Sequence, residues 1–310
     1  MSQNSISPAL ARRHTLQRNR SLITIAACTL LTTFLHADCG HDHRSSENSG
    51  LLITDFTISG TQTLTSGALA RIKDRLIGSC FNENSDELEQ RVRALFQDEG
   101  YFGVVVNSLH IKLSDPLALP KPAMLEADVL EGQRYKVAEI RFTGNHAFSA
   151  AKLRSVFPLK QGDLFQRDKI AGALESIRKV YASNGFIDLS FVPQTQSLSN
   201  ATIVLTVAIT EGPRYRMGKL EILAKKDLAD RLSGEWQLAE GAVFDFAYVE
   251  KWVDSNRSLL PRGFTAESVQ LVRDCRDSSV EVRVLIEATD VLSQTKPKDV
   301  ECEPQPGISE

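Results

Sequence analysis

The stretch EGQRYKVAEIRFTGN, residues 131–145, returns in its first half downstream as EGPRYRMGKLEI, residues 211–222. Tyr135 and Tyr215 stand one period of 80 residues apart. Each copy leaves one apolar strand (127–130; 203–209) and enters an alternating one (Val137, Ile140, Phe142; Met217, Leu220, Ile222). A fixed period of this kind marks a chain of similar modules rather than one large core.

Working outward from the two copies, the apolar pattern divides the chain into modules at 51–133, 134–212 and 213–290. In the first, Leu52, Phe56 and Ile58 mark a strand. Thr65 or Ser66 caps a helix through Leu69, Ile72 and Leu76, and Ser85 precedes a second with Leu88, Val92, Leu95 and Phe96 on one face. Two β-rich runs, 101–113 and 124–130, close it. The second module repeats the order. A strand at 135–142 is followed by a short helix capped by Ser149, then by a helix whose Ile170, Leu174, Ile177 and Tyr181 form a 4-3-4 stripe. Strands from Phe186 and over 202–210 complete it. The third has a strand at 215–223, a short helix at 227–232, a helix with Val249 and Val253, and strands at 269–273 and 280–287. The order in each is strand, helix, helix, strand, strand, an α+β arrangement.

After the second helix of each module comes a glycine and then an aromatic residue: Gly100-Tyr101, Gly185-Phe186 and Gly263-Phe264. Glycine accepts the left-handed conformation that ends a helix, and the ring after it locks the next strand onto the helix pair. Three occurrences at corresponding places tie the modules together.

The ends read differently. Four arginines (Arg12, Arg13, Arg18, Arg20) and no acid precede the apolar run 21–35, and Leu35-His36-Ala37 follows. This is the three-part pattern of a secretory signal over 1–37, cleaved after Ala37. Two readings compete with it: lipidation at Cys28, after Ile25-Ala26-Ala27, and an uncleaved anchor, for which the run falls short of the ~20 residues that span a bilayer. Residues 38–50 read as a flexible polar leader and 291–310 as a disordered tail. In the leader Cys39, His41, Asp42 and His43 are too crowded for a structural zinc site, so no metal is expected. Removal of Cys28 leaves Cys39, Cys80, Cys275 and Cys302. They allow three pairings, of which proximity favours Cys39–Cys80 with Cys275–Cys302, and the alternative is four unpaired thiols.

Net charge is −3, and beyond the signal 32 basic residues face 39 acidic ones, which gives no polybasic footprint for nucleic acid. Of the six histidines only His110 lies outside the signal, the leader and a predicted turn. No nucleophile elbow, phosphate loop or zincin spacing occurs, so neither catalysis nor a cofactor is expected.

The strand-helix-helix-strand-strand order, the Gly-aromatic steps and the EG(Q/P)RY junctions resemble the POTRA repeats in the periplasmic arm of BamA-type outer-membrane assembly proteins. The resemblance covers residues 51–290 and is strongest in VAEIRFTGN, QGDLF and EGPRY of the second module. It implies, for each module, a three-stranded mixed sheet with two helices on one face. It also implies a non-enzymatic periplasmic or outer-membrane-associated role. Partners would be unfolded outer-membrane proteins, a separate outer-membrane barrel or a lipoprotein, and membrane association would be indirect, or through the N-terminus where the signal is uncleaved. Such arms are followed by a β-barrel, for which the stretch after residue 290 is too short, so insertion activity is not carried over.

Binding by β-augmentation, in which a partner's extended segment pairs with a sheet edge, suits clients of varied sequence. The resemblance places the free edge on the second strand of each repeat. The candidate residues are therefore Ile187, Leu189 and Phe191 in 186–194, and Val269 and Leu271 in 264–272, with 101–113 as a third candidate. Pro193 and Arg273 act against pairing at the first two. The alternative function is a structural linker or cell-division-type scaffold, anchored in the membrane by its N-terminus.

Overall fold

The computed structural model describes residues 50–81 and 85–286. The signal, most of the leader, the tail, Cys28, Cys39 and Cys302 lie outside them. The chain order is β1 (Leu51–Ser59), α1 (Ser66–Leu76), β2 (Cys80–Phe81), α2 (Ser85–Asp98), β3 (Val105–Leu113), β4 (Lys121–Leu130), β5 (Lys136–Thr143), α3 (Ala150–Ser155), α4 (Arg167–Ala182), β6 (Ser190–Leu198), β7 (Thr202–Thr210), β8 (Arg216–Leu223), α5 (Lys226–Gly234), α6 (Phe246–Ser255), β9 (Gln270–Asp274) and β10 (Ser279–Leu285).

These strands form three mixed sheets, ordered β2-β1-β4-β3, β5-β7-β6 and β8-β10-β9. In each, the last strand of the module lies in the middle, parallel to the first and antiparallel to the second. That placement is why β4, β7 and β10 are the most buried strands: their core-facing residues are buried and most of the alternate ones are half-buried, while the outer strands expose more of theirs. Each sheet has its own core, built around Phe56, Phe96 and Leu125; Phe165, Ile177 and Val207; and Phe244, Val253 and Val282. The α+β modules read from the sequence are present.

Local chemistry sets the helices. Thr65 and Ser149 occupy N-cap positions, accepting from the N–H groups of Ala68 and Lys152. Asp245 caps α6 through Ala247 and Tyr248. On α4 the buried stripe is Ile170, Ala173, Ile177 and Tyr181. Leu174, expected in that stripe, is only partly buried at its border, where Ala173 takes the core position instead. Two further expectations shift. Strand β6 starts at Ser190 rather than Phe186, and β9 at Gln270 rather than Val269. The short strand β2 was not anticipated, since two residues carry no periodicity.

A finer repeat emerges from the hydrogen bonds. The N–H of Ile53, Val137 and Met217 donates to Ser79, Asp163 and Ala242 in the turn between the module's two helices, and their carbonyls accept from Gly78, Gly162 and Gly241. Immediately after each of these three residues the first strand bulges against the central one. Strand β2 is the fuller form of a contact present in every module: Leu52↔Cys80 corresponds to the single bridges Lys136↔Leu164 and Arg216↔Val243.

Candidate functional site

The same hydrogen bonds decide which backbone is free to bind. At the start of each first strand the inter-helix turn occupies the outer edge. The second strands β3, β6 and β9 are the other outer strands, and no described strand pairs with their far side. All three candidate edges are therefore edges.

They are unequal. Strand β6 is nine residues long but has Pro193 at its centre, which removes a donor from the row. Strand β9 has five residues, and Arg273 Nε reaches back 2.6 Å to Asp188. Strand β3 has nine residues and no proline. Ser114, one residue past its end, donates to Pro122 O across the hairpin at 2.9 Å. Antiparallel pairing alternates, so Leu113, Ile111 and Leu109 turn their N–H and C=O outward. Val105 and Leu113 at its two ends are exposed, as are Met124 and Leu130 beside it on β4.

The candidate residues take three kinds of position. Phe191 lies on β6 and Leu271 on β9, each partly buried on the helix side. Leu189 precedes β6 and is buried in the second core, with its carbonyl accepting from Arg178. Val269 is buried just before β9. Ile187 also precedes β6 and packs into the third core. Alternating hydrophobicity alone gives no sign that Leu189 and Ile187 belong to a helix-to-strand passage.

Ile187 exposes what the sequence reading missed. The second residue after the stop glycines Gly100 and Gly185 reaches forward into the next module. Phe102 belongs to the second core, edge-on to Phe165 with ring centroids 5.0 Å apart. Ile187 is its counterpart. The backbone joins in: Tyr135 N–H donates to Gly100 O at 2.9 Å and Tyr215 N–H to Gly185 O at 2.8 Å, while the carbonyls of both tyrosines accept from Phe165 and Phe244. The EG(Q/P)RY tyrosine thus stitches one module's helix stop to the next module's inter-helix turn.

Glutamates of the same motif tie down each module's first loop. Glu131 Oε1 accepts from Gln62 N–H at 2.6 Å, from Thr63 Oγ1 at 3.0 Å and from the Thr63 N–H. Glu211 Oε1 accepts from Ala147 N–H and from the Tyr181 hydroxyl, both at 2.8 Å. Burial and that carboxylate raise the Tyr181 hydroxyl's pKa; burial and Asp188, 2.7 Å away, do the same for Tyr215.

Ion pairs cross both joints, with Arg273 on Asp188 at the second and a larger group at the first. At the first, buried Asp98 pairs with Arg75 at 2.8 Å and Arg167 at 3.0 Å, and its carbonyl accepts from Gln166. Glu99 pairs with Arg71, and Arg134 lies 5.1 Å from the centre of the Tyr101 ring. Burial raises the Asp98 carboxyl; Arg167 and Arg75 oppose it without cancelling it. Among the described residues no helix is long and apolar enough to cross a membrane, and no group of three metal-ligating side chains converges.

Residues 135–212, from the junction tyrosine to the glycine before the next one, match the family model of POTRA, described as a surface antigen variable number repeat. This segment is a POTRA repeat. The three-module arrangement is similar to POTRA domains 3–5 of Haemophilus influenzae BamA. The identity there is 19%, the match covers 77% of this chain and 96% of that one, and the TM-score is 0.56, which is a likeness of fold. Two curated relatives share less of their length. The outer membrane protein assembly factor BamA of Neisseria meningitidis serogroup B is 27% identical over 152 residues, 45% of this chain and 19% of that protein. A Treponema pallidum protein provisionally named an outer membrane protein assembly factor is 22% identical over 187 residues, 56% of this chain and 22% of that protein. The chain thus spans about a fifth of the length of these relatives.

Proposed function

We propose that the chain is a non-enzymatic protein-binding scaffold of the cell envelope, with POTRA-like modules at about 51–133, 134–212 and 213–290. Its site is the periplasm, reached through the N-terminal signal. There it assists outer-membrane protein assembly or transport by lending a sheet edge to extended segments of clients or partner proteins. The observation that carries this reading is the free second-strand edge in all three modules, of which β3 spans nine residues unbroken by proline, with exposed Val105 and Leu113 at its ends. The names of the relatives, which refer to outer-membrane assembly, support the same direction.

The energy of such binding lies in backbone hydrogen bonds, so the test acts on the backbone. Leu113→Pro removes an outward N–H at a position where the side chain is exposed. It should weaken binding of an extended outer-membrane-protein peptide about tenfold, the value of one hydrogen bond plus the poor fit of the ring. His110→Ala trims an exposed side chain on the same strand and should change little. Titration followed by NMR reads affinity and folding together. A folded Leu113→Pro protein that binds the peptide as tightly as the parent would sink the β3 reading.

A further inference from the structure

Among the described residues nine large apolar side chains are exposed, and six of them sit on one hairpin, β3–β4: Val105, Leu113, Leu117, Leu119, Met124 and Leu130. Leu117 and Leu119, in the loop that joins the two strands, are 91% and 75% exposed, more than any of the others. A concentration of this kind on a folded surface marks a place where something else binds.

The fold does not require it. The equivalent hairpins of the second and third modules turn through Ser199-Asn200-Ala201 and Cys275-Arg276-Asp277-Ser278, short and without a large apolar side chain. In the first module the turn covers 114–120 and reads SDPLALP. It is also shaped. Asp115 Oδ1 accepts from the Leu117 N–H at 2.9 Å, and the Ser114 N–H donates to Pro122 O across the base of the loop. Pro116 and Pro120 restrict the backbone on either side of the two leucines, so less freedom is lost when something packs on them.

The loop continues the β3 edge. The register of β3 against β4 shifts between Val106 and Ser108, so the regular run is 108–113. Within it Leu109, Ile111 and Leu113 turn their backbone outward, and the same three form an apolar stripe. Leu109 and Ile111 pack partly on the first core, and Leu113 is exposed, so the stripe opens toward the tip. His110 and Lys112 alternate with it on the other face, where Lys112 Nζ lies 2.5 Å from Glu126 Oε1. A segment laid on this run gains about six backbone hydrogen bonds at most, a modest net gain against the cost of ordering it. A strand antiparallel to β3 begins beside Leu113, and the residues ahead of its pairing run reach the tip.

We propose that Leu117 and Leu119 are an apolar anchor at the end of the β3 edge, and that the partner is an extended segment with large apolar residues just ahead of its pairing run. This rests on the edge binding proposed above and adds what selects the segment. A membrane surface is the other body that two exposed leucines could enter. The charge around them favours the segment: from 107 to 128 Lys112, Lys121 and His110 stand among Asp115, Glu126 and Asp128, which gives no basic collar for anionic headgroups.

The experiment uses the full chain and two synthetic peptides that share the same alternating pairing run. One carries Leu-Ser-Leu ahead of that run and the other Ser-Ser-Ser, and NMR titration reads affinity and folding together. The parent should bind the apolar-led peptide about tenfold or more tighter than the polar-led one. Leu117→Ser/Leu119→Ser, which changes only exposed side chains, should bind both alike, at the parent's affinity for the polar-led peptide. Leu113→Pro should weaken both. A parent that does not discriminate, or a double variant that discriminates as the parent does, would overturn the anchor and leave the edge standing. Leu113→Pro without effect on either peptide would remove the edge, and the anchor with it. With vesicles of phosphatidylethanolamine and phosphatidylglycerol the parent should stay in the supernatant. Sedimentation with them that the double variant loses would assign the leucines to a bilayer and overturn the proposal.

Discussion

Gly100, Gly185 and Gly263 hold the same place in three modules and nearly the same conformation, with φ of 89, 89 and 79°. Alanine at any of them must adopt the left-handed region, which costs ~1–2 kcal/mol. What differs is the surroundings. An added methyl at Gly263 meets nothing within 4 Å, and at Gly100 it makes only ordinary contacts from 3.6 Å outward. At Gly185 it would stand 2.6 Å from Tyr215 O, a backbone atom that cannot rotate away, and 3.2 Å from Arg214 Cγ. Gly185→Ala must therefore push the third module off the second. The Tyr215–Gly185 hydrogen bond, ~0.5–1.5 kcal/mol, is then lost on top of the strain. The expected costs are about 1–2 kcal/mol for Gly263→Ala and Gly100→Ala and about 2–3 kcal/mol for Gly185→Ala. Native-state hydrogen exchange is the assay, because unfolding of three modules is not a single transition. The Tyr215 amide should lose protection in Gly185→Ala and keep it in Gly263→Ala. Equal costs for the two, with Tyr215 protection unchanged, would refute the argument that backbone contact at this glycine fixes the second joint.

Phe102→Ala should cost ~3–5 kcal/mol, and calorimetry with module-specific probes should find the loss in the second module although the residue precedes the first module's last two strands. Asp98 supplies a pH test. Its folded-state pKa is raised by burial, so the folded form holds the extra proton, and the stability of the parent relative to Asp98→Asn should rise as pH falls from that raised value toward the ordinary carboxylate range. Urea titrations across that window that show the opposite trend would mean that Arg75 and Arg167 outweigh the burial.

The sequence carried the module order, the stop glycines and the caps at Thr65 and Ser149 because each is a local, chemically distinct signal. It did not carry the first module's inter-helix motif: Gly78-Ser79-Cys80-Phe81 shares only glycine and phenylalanine with its counterparts, and its role appears once Ile53 is aligned with Val137 through their hydrogen bonds. Nor did apolar spacing tell which core owns a residue. Leu189 and Ile187 alternate as strand residues do, yet one faces its own module and the other the next. For the candidate site, edge status followed from the strand order. The contrast between β3 and β9 depended on strand length and on the tie from Arg273 to Asp188, a contact between residues 85 apart in the chain.

Phe102 and Ile187 bear on the order in which such a chain is made. Emerging from its N-terminus, the first module can complete its own sheet while Phe102 still has no core to enter, and the second meets the same situation with Ile187. Each finished module therefore holds out one apolar side chain at its leading end, around which the next can condense. At the corresponding place in the third module stands Thr265, which is exposed and whose N–H donates to Ser268 Oγ. The series of waiting apolar side chains stops there, on a residue that water can satisfy.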